Sequence, residues 1–597
     1  MKRLTYLGCA ALSVAVAGGV LYVHGVAPAT LAMALALLLV PCWWCCSSFA
    51  GYGARRLPRR CPPLTRRPAA GPAAPQAGKP RLPDYLYRNR AAARQPSGQH
   101  SMEQRPIQFY YQGDIVRVQQ QPPTRTVLQF LRDERHATGS KEGCAEGDCG
   151  ACTVAVGELR HGKLVWRNVN ACLMLLPALD GKALLTVEDV AALAPHGLHP
   201  VQRALVEQHG SQCGFCTPGF VMSLFALASQ HPGAGRAEVI DALSGNLCRC
   251  TGYRPIIDAG VAACAAPPCL PDPEPIAAAL HTMSEAPALD YRAGGARLRS
   301  PRTLAELAEL YAAVPEARLL AGGTDLGLWV TKQLHELPEL IALAHVDELK
   351  TIEHDPEWLR IGAAVTLTDA FAALVAEYPE LAELARRFAS PPIRNAATLA
   401  GNVANGSPIG DSMPALIALG ARLRLHRLGA ERELALEDFY LGYQHNALAS
   451  GEFVRAVLVP RRRPSNAAPF IRAYKASKRY EQDIATVFLA LAITRDDSDV
   501  VQDARLALGG MAAVPSRAPQ AEAALIGRPW NAVAVEAAMN ELQHDFSPLS
   551  DLRGRADHRQ RLARRLLWRA WLDSQGMTPL QLDELEPIAL PAPEETL

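Results

Sequence analysis

A chain of 597 residues, 49 % hydrophobic and 20 % charged, has material for about four domains at roughly 150 residues each. Its formal charge of +2 conceals an asymmetry: residues 1–101 hold thirteen Lys/Arg and one acid, Asp84, so of 61 basic and 59 acidic residues 48 and 58 remain, a body near −10. That body has no basic tract for a phosphate backbone, which argues against nucleic-acid binding. Its fifteen cysteines, none after Cys269, do not suit a disulfide scaffold, because such scaffolds are small and poor in core.

Residues 1–101 look foreign to the rest of the chain. The segments 4–26 and 27–49 are mostly apolar and each long enough to cross a bilayer. Residues 55–101 are rich in Arg, Pro, Ala and Gly without any period, which reads as disorder. Either a membrane anchor and linker precede the cysteine-rich body, or translation starts at Met102. The second is favoured, because an anchor has no role in the chemistry of the cysteine-rich region, and it makes the protein cytoplasmic.

From residue 102 to 185 the pattern is that of a small β domain. Residues 107–111 and 114–118 form a hairpin around Gln112-Gly113, residues 126–132 a short helix and residues 152–156 a strand. Between them Cys144, Cys149 and Cys152 stand as C-x4-C-x2-C, with Cys172 following, the plant-type spacing for one 2Fe–2S cluster. Gly143, Gly147 and Gly150 let the loop turn its N–H groups toward sulfur. A second set, Cys213-x2-Cys216 and Cys248-x-Cys250, lies in a helical region, residues 186–266, with helices entered at His199, Pro218 and Glu238. Structural zinc also favours C-x2-C, but a C-x-C pair enclosing Arg249 is unusual for a zinc ribbon. The other seven cysteines show no ligand pattern.

With both cysteine sets in this order, the chain resembles the molybdenum hydroxylases, the xanthine dehydrogenase family. The resemblance implies a multidomain α+β chain: a β-grasp ferredoxin domain, a four-helix 2Fe–2S domain, an α+β FAD domain of the vanillyl-alcohol-oxidase (PCMH) type and an α+β C-terminal flavoprotein domain. It also implies that Gln212 and Cys250 lie beside the pterin of a molybdenum cofactor carried by a partner subunit.

Residues 267–286, opened by five prolines, read as a linker. In the segment 287–465, Arg318 leads through a strand into Ala321-Gly322-Gly323-Thr324-Asp325, a turn able to present N–H groups to a pyrophosphate. By itself such a turn is most often a plain connection. A second Gly/Asn/Ser-rich loop, 393–411, resembles the family's flavin-binding segment. By that resemblance Leu319, Leu320, Ala321, Gly322, Gly323, Thr324, Asp325, Leu326 and Gly327 line the pyrophosphate. Thr398, Gly401, Asn402 and Asp411 contact the rest of FAD, with Phe388 near the adenine. Asn405 and Ala400 depart from the family's usual Thr and Gly. Residues 466–580 form the last domain, in which Lys475, Lys478 and Arg479 are candidates for contact with flavin or NAD, although as bare residues they read as a solvated face. Residues 581–597 are an acidic, Pro-rich tail.

No molybdenum-binding region follows. The resemblance therefore implies the small, iron–sulfur/FAD subunit of a bacterial-type xanthine dehydrogenase. It would work beside a molybdenum-binding large subunit in a dimer of heterodimers, passing electrons to NAD during purine catabolism. No side chain is assigned an acid–base role. Three alternatives stay open: the redox subunit of a hydroxylase acting on aldehydes or aromatics, a membrane-tethered electron carrier, and a zinc-filled scaffold.

Overall fold

The computed structural model describes residues 103–194, 197–462 and 468–577. Both apolar segments at 4–49 and the tail from 581 lie outside them. Among the described residues no helix is long and apolar enough to cross a membrane.

The first sheet runs in the order Asp114–Val118, Ile107–Tyr111, Ala183–Leu185, Thr153–Arg160, Lys163–Asn170. Its opening hairpin turns at Gln112 (φ 53°) and Gly113 (φ 90°), the double left-handed conformation that matches strand twist. The short helix predicted at 126–132 is present, capped reciprocally by Thr126 and Gln129, and its last turns widen into a π-helix over Phe130–Glu134.

Alternation along these strands sends neighbouring residues to opposite faces, and here both faces are buried. Ile107, Phe109, Tyr111, Val154, Val156 and Leu184 join a core completed by Leu289, Leu298, Leu320 and Leu340 of the flavin-side region. Ala155, Ala183 and Leu185 face a second core, built with Phe220, Leu224 and Ile256 of the helical region. The ferredoxin sheet is therefore the middle layer.

The helical region consists mainly of Pro200–Glu207, Thr217–Gln230, Arg236–Leu243 and Arg254–Ala265. Gly260 lets two of these approach, since a Cβ there would stand 2.5 Å from Val239 Cγ1. The stretch predicted as a linker is not featureless. It contains a helix, Pro273–Ser284, begun by the Asp272 side chain accepting from the Glu274 N–H. Proline is compatible with a first helical turn, and Ile276, Leu280 and Met283 bury into the helical core, so the prolines mark a start and not a gap.

Two five-stranded sheets follow. In one, Glu103–Gln104 pairs in parallel with Leu289 and Asp290, so the first described strand belongs to the flavin-side sheet. The last region is an antiparallel sheet of Phe470–Ala476, Val487–Arg495, Val501–Gly509 and Ser516–Arg517, backed by three helices ending at Ser574.

Candidate redox site

Cys144 and Cys149 lie half-buried in a tight loop, while Cys152 and Cys172 are buried. Positive φ at Ala145, Gly147 and Gly150 curls this loop so that the N–H groups of Glu146, Asp148 and Cys149 point at Cys144 Sγ, at 3.5, 3.4 and 3.3 Å. Asn170 Nδ2 reaches Cys152 Sγ at 3.8 Å. Hydrogen bonds from Cys149 and Cys172 push Cys144 toward thiolate, and one from Cys172 does the same for Cys152 against burial. A Cβ at Gly143 would come within 2.8 Å of Cys149 Sγ, so that position must stay bare.

The second set gathers at the ends of helices. Cys213 and Cys250 are exposed and hydrogen-bond each other. Cys216 precedes the helix Thr217–Gln230 and adjoins Cys248; burial, then that neighbour, pushes its thiol up to about 12. Cys248 N–H donates to the Tyr253 hydroxyl at 2.9 Å, and Tyr253 itself sits at φ 69°. Gln212 is exposed beside Cys213. Among the described residues no three His, Cys, Asp or Glu side chains gather as a single metal ion would need.

The two sets are tied by backbone. Leu247 N–H, next to Cys248, donates to the Cys149 carbonyl at 3.0 Å. The buried Asn246 donates to Gly150 O at 3.1 Å and accepts from Ser223 Oγ at 2.6 Å, and Ser223 accepts from Asn168 at 3.1 Å. Cβ atoms at Gly150 and Gly219 would meet carbonyl oxygens at 2.2 and 2.1 Å, which leaves no room for side chains in this contact.

On the flavin side, Leu319 and Leu320 end the strand Arg318–Leu320, Ala321 to Asp325 turn, and Leu326 and Gly327 begin the helix Leu326–Thr331. Gly323 is left-handed at φ 73°, and Gly322 packs so closely on the second loop that a Cβ would lie 2.0 Å from Ala396 O. Gly327 approaches the carbonyl of Leu173, the neighbour of Cys172, in the same way, at 2.7 Å. Burial raises the pKa of Asp325.

Phe388 is buried against Phe371, ring centroids 5.3 Å apart. Thr398 Oγ1 accepts from the Gly401 N–H at 3.0 Å, and Asn402 Oδ1 from Ser412 Oγ at 2.5 Å. Both side chains thus begin from local duties. Asp411 is buried and pairs with Lys475 Nζ at 2.8 Å. The solvated-face reading therefore fails for Lys475, whose side chain is only 4 % exposed and also donates to Arg387 O. It describes Arg479, 55 % exposed beside Asp483.

Four family models match in chain order: "2Fe-2S iron-sulfur cluster binding domain" over residues 109–176, "[2Fe-2S] binding domain" over 186–260, "FAD binding domain in molybdopterin dehydrogenase" over 294–462 and "CO dehydrogenase flavoprotein C-terminal domain" over 472–574. The chain carries the iron–sulfur and FAD domains of the molybdenum hydroxylases. Xanthine dehydrogenase of Emericella nidulans is 32 % identical over 541 residues, 80 % of this chain and 39 % of that protein. Aldehyde oxidase 4 of Cavia porcellus is 31 % identical over 548 residues, 82 % of this chain and 40 % of that one. The chain thus spans about two fifths of the curated relatives it matches. A solved Cu,Mo-CO dehydrogenase chain is 27 % identical, with 47 % of this chain and 98 % of that chain covered and a TM-score of 0.44.

The residues of these molybdenum hydroxylase domains fit the groups. The first thiol set has N–H donors already turned on sulfur, as an anionic cluster needs. On the flavin side Asp411 Oδ1 is buried without a partner, an acceptor that a flavin hydroxyl or N–H would satisfy, and the bare Gly322 leaves two loops in contact. Sequence reasoning missed Asn246, Asn168, Ser223, Arg387 and Gln482. Their partners lie far along the chain, up to 334 positions for Gln482, and no local pattern encodes that.

Proposed function

We propose that this chain is the iron–sulfur/FAD subunit of a xanthine dehydrogenase, passing electrons from a partner's molybdenum centre through two 2Fe–2S clusters to FAD and on to NAD during hypoxanthine or xanthine oxidation. When bound, the clusters supply one-electron transfer and the flavin exchanges single electrons for pairs. Cys144, Cys149, Cys152 and Cys172 would hold one cluster, and Cys213, Cys216, Cys248 and Cys250 the other.

One observation carries the reading: the cysteine sets and the flavin-side turn touch in series. The exposed edge at Cys213 and Cys250 suits a partner's redox centre. The Leu247 N–H to Cys149 carbonyl bond joins the two sets, and the Leu173 carbonyl against Gly327 joins the inner set to the flavin-side turn. Burial of Cys152 and Cys172 keeps water from the inner set. Lys475 holds Asp411 in place for the flavin.

The test is co-expression with a molybdenum-binding partner, followed by metal and flavin analysis and an assay with hypoxanthine or xanthine and NAD. Full cofactor loading without NADH formation would overturn the purine reading. An aldehyde substrate is the second reading, supported by the near-equal identity to aldehyde oxidase, and the same preparation tests it. A colourless, iron-free protein would remove both.

A further inference from the structure

Two side chains from outside donate to carbonyls of the loop that bears Cys144 and Cys149. Gln482 lies in the connection between the strands Phe470–Ala476 and Val487–Arg495, with a left-handed backbone at φ 58°. Its Nε2 donates to the Asp148 carbonyl at 2.8 Å. Thr331, at the end of the helix Leu326–Thr331, donates to the Ala145 carbonyl at 2.8 Å, sharing its one proton with Gly327 O at 3.0 Å.

What these two carbonyls have in common lies across the peptide bond. The Asp148 carbonyl belongs to the same planar unit as the Cys149 N–H, which points at Cys144 Sγ at 3.3 Å. The Ala145 carbonyl shares its unit with the Glu146 N–H, 3.5 Å from the same sulfur. A donor on the carbonyl polarises the peptide and strengthens the hydrogen bond its N–H makes. Hydrogen bonds to cluster sulfurs count for more as negative charge accumulates, so they favour the reduced form.

We propose that Gln482, seconded by Thr331, is a positioning residue that raises the reduction potential of the inner cluster from the flavin side. The inference rests on the proposed function, in which Cys144, Cys149, Cys152 and Cys172 hold a 2Fe–2S cluster. The loop carrying Gln482 is itself anchored beside the flavin residues. Arg387, next to Phe388, donates to Ser477 Oγ at 3.1 Å and to Tyr480 O at 3.0 Å, and its guanidinium lies 4.5 Å from the Tyr480 ring centroid. Lys475, just before the loop, bridges Asp411 and the Arg387 carbonyl. One short segment therefore connects the candidate flavin contacts to the peptide that faces Cys144.

Redox titration of the full, cluster-loaded chain, followed by electron paramagnetic resonance, tests this, because the two clusters are read separately. Gln482→Leu and Thr331→Val each remove a donor, whereas Thr331→Ser keeps its hydroxyl. The expected result is a lower potential for one cluster, about twofold in the one-electron equilibrium per bond lost, or about 18 mV at 59 mV per tenfold change. The other cluster stays unchanged, and Thr331→Ser matches the wild type. Wild-type potentials in Gln482→Leu at full iron content would overturn the inference. If that variant loses iron, equal potentials in the Thr331→Val and Thr331→Ser pair would overturn it instead. A wild-type chain without iron signals would remove the underlying function, an outcome distinct from both.

Discussion

Gly322→Ala is the sharpest test of the flavin-side geometry. The added Cβ would stand 2.0 Å from the Ala396 oxygen and 2.6 Å from Ala396 C and Ala397 Cα, where ordinary contact begins at 3.4 Å. All three atoms are backbone, so no rotamer change relieves the overlap, and the two loops must part by about 1 Å or more. Overpacking of this kind costs about 1–3 kcal/mol. If the flavin binds only the closed arrangement, that cost weakens FAD binding by about 5- to 140-fold, at 1.4 kcal/mol per tenfold. Fluorescence titration of FAD onto flavin-stripped protein measures it, with cluster absorbance as an internal check. Gly442→Ala serves as the control, since a Cβ there meets nothing within 4 Å. Unchanged FAD affinity in Gly322→Ala, equal to the control, would refute the argument that contact between these loops builds the site.

Asp180→Ala should cost about 3–5 kcal/mol in chemical denaturation, because it strands a buried charge: Arg105, 9 % exposed, loses a bidentate carboxylate held at 2.8 and 2.7 Å. A loss below about 1 kcal/mol would contradict that. His345 gives a pH signature. Its Nε2–H donates to Asp180 O at 3.2 Å and its Nδ1 meets Ser300 Oγ at 3.0 Å, an arrangement the neutral ring satisfies by accepting from the hydroxyl. Burial lowers its pKa from 6.5 to about 4, with Arg302, Lys350 and Lys182 adding to this against Asp180. The unfolded chain then binds the extra proton between those values: this contribution is complete above pH 6.5 and falls away toward pH 4, by at most about 3 kcal/mol. Unfolding curves of His345→Gln should lack that part of the acid slope, and an identical slope would sink the assignment. Asn246→Ala leaves the Ser223 hydroxyl without its acceptor in a buried network, while the Gly150 carbonyl keeps Thr153 as its donor; a loss of about 1–2 kcal/mol is expected. Rapid-freeze measurements should show slower transfer between the clusters in that variant, and wild-type rates would count against the coupling.

Local chemistry is legible in the amino-acid order. Cysteine spacing and the Gln112-Gly113 turn act over a few residues, so the sequence alone points to the cluster loops, the opening hairpin and the order of regions. It is silent where the deciding contact is distant. The prolines before Pro273 suggest a gap, although Ile276, Leu280 and Met283 have a core to meet. Lys475 looks like a solvated charge until the fold sets it against Asp411. The strand Thr153–Arg160 is apolar on both sides, but only the tertiary structure reveals that one face meets helices and the other the flavin-side core. Cysteine identity and spacing determine which groups this protein can hold, because ligation is chemistry of nearby atoms. How those groups are ordered, and which peptide N–H groups are polarised toward them, is decided by packing between residues hundreds of positions apart, and only the folded chain brings those together.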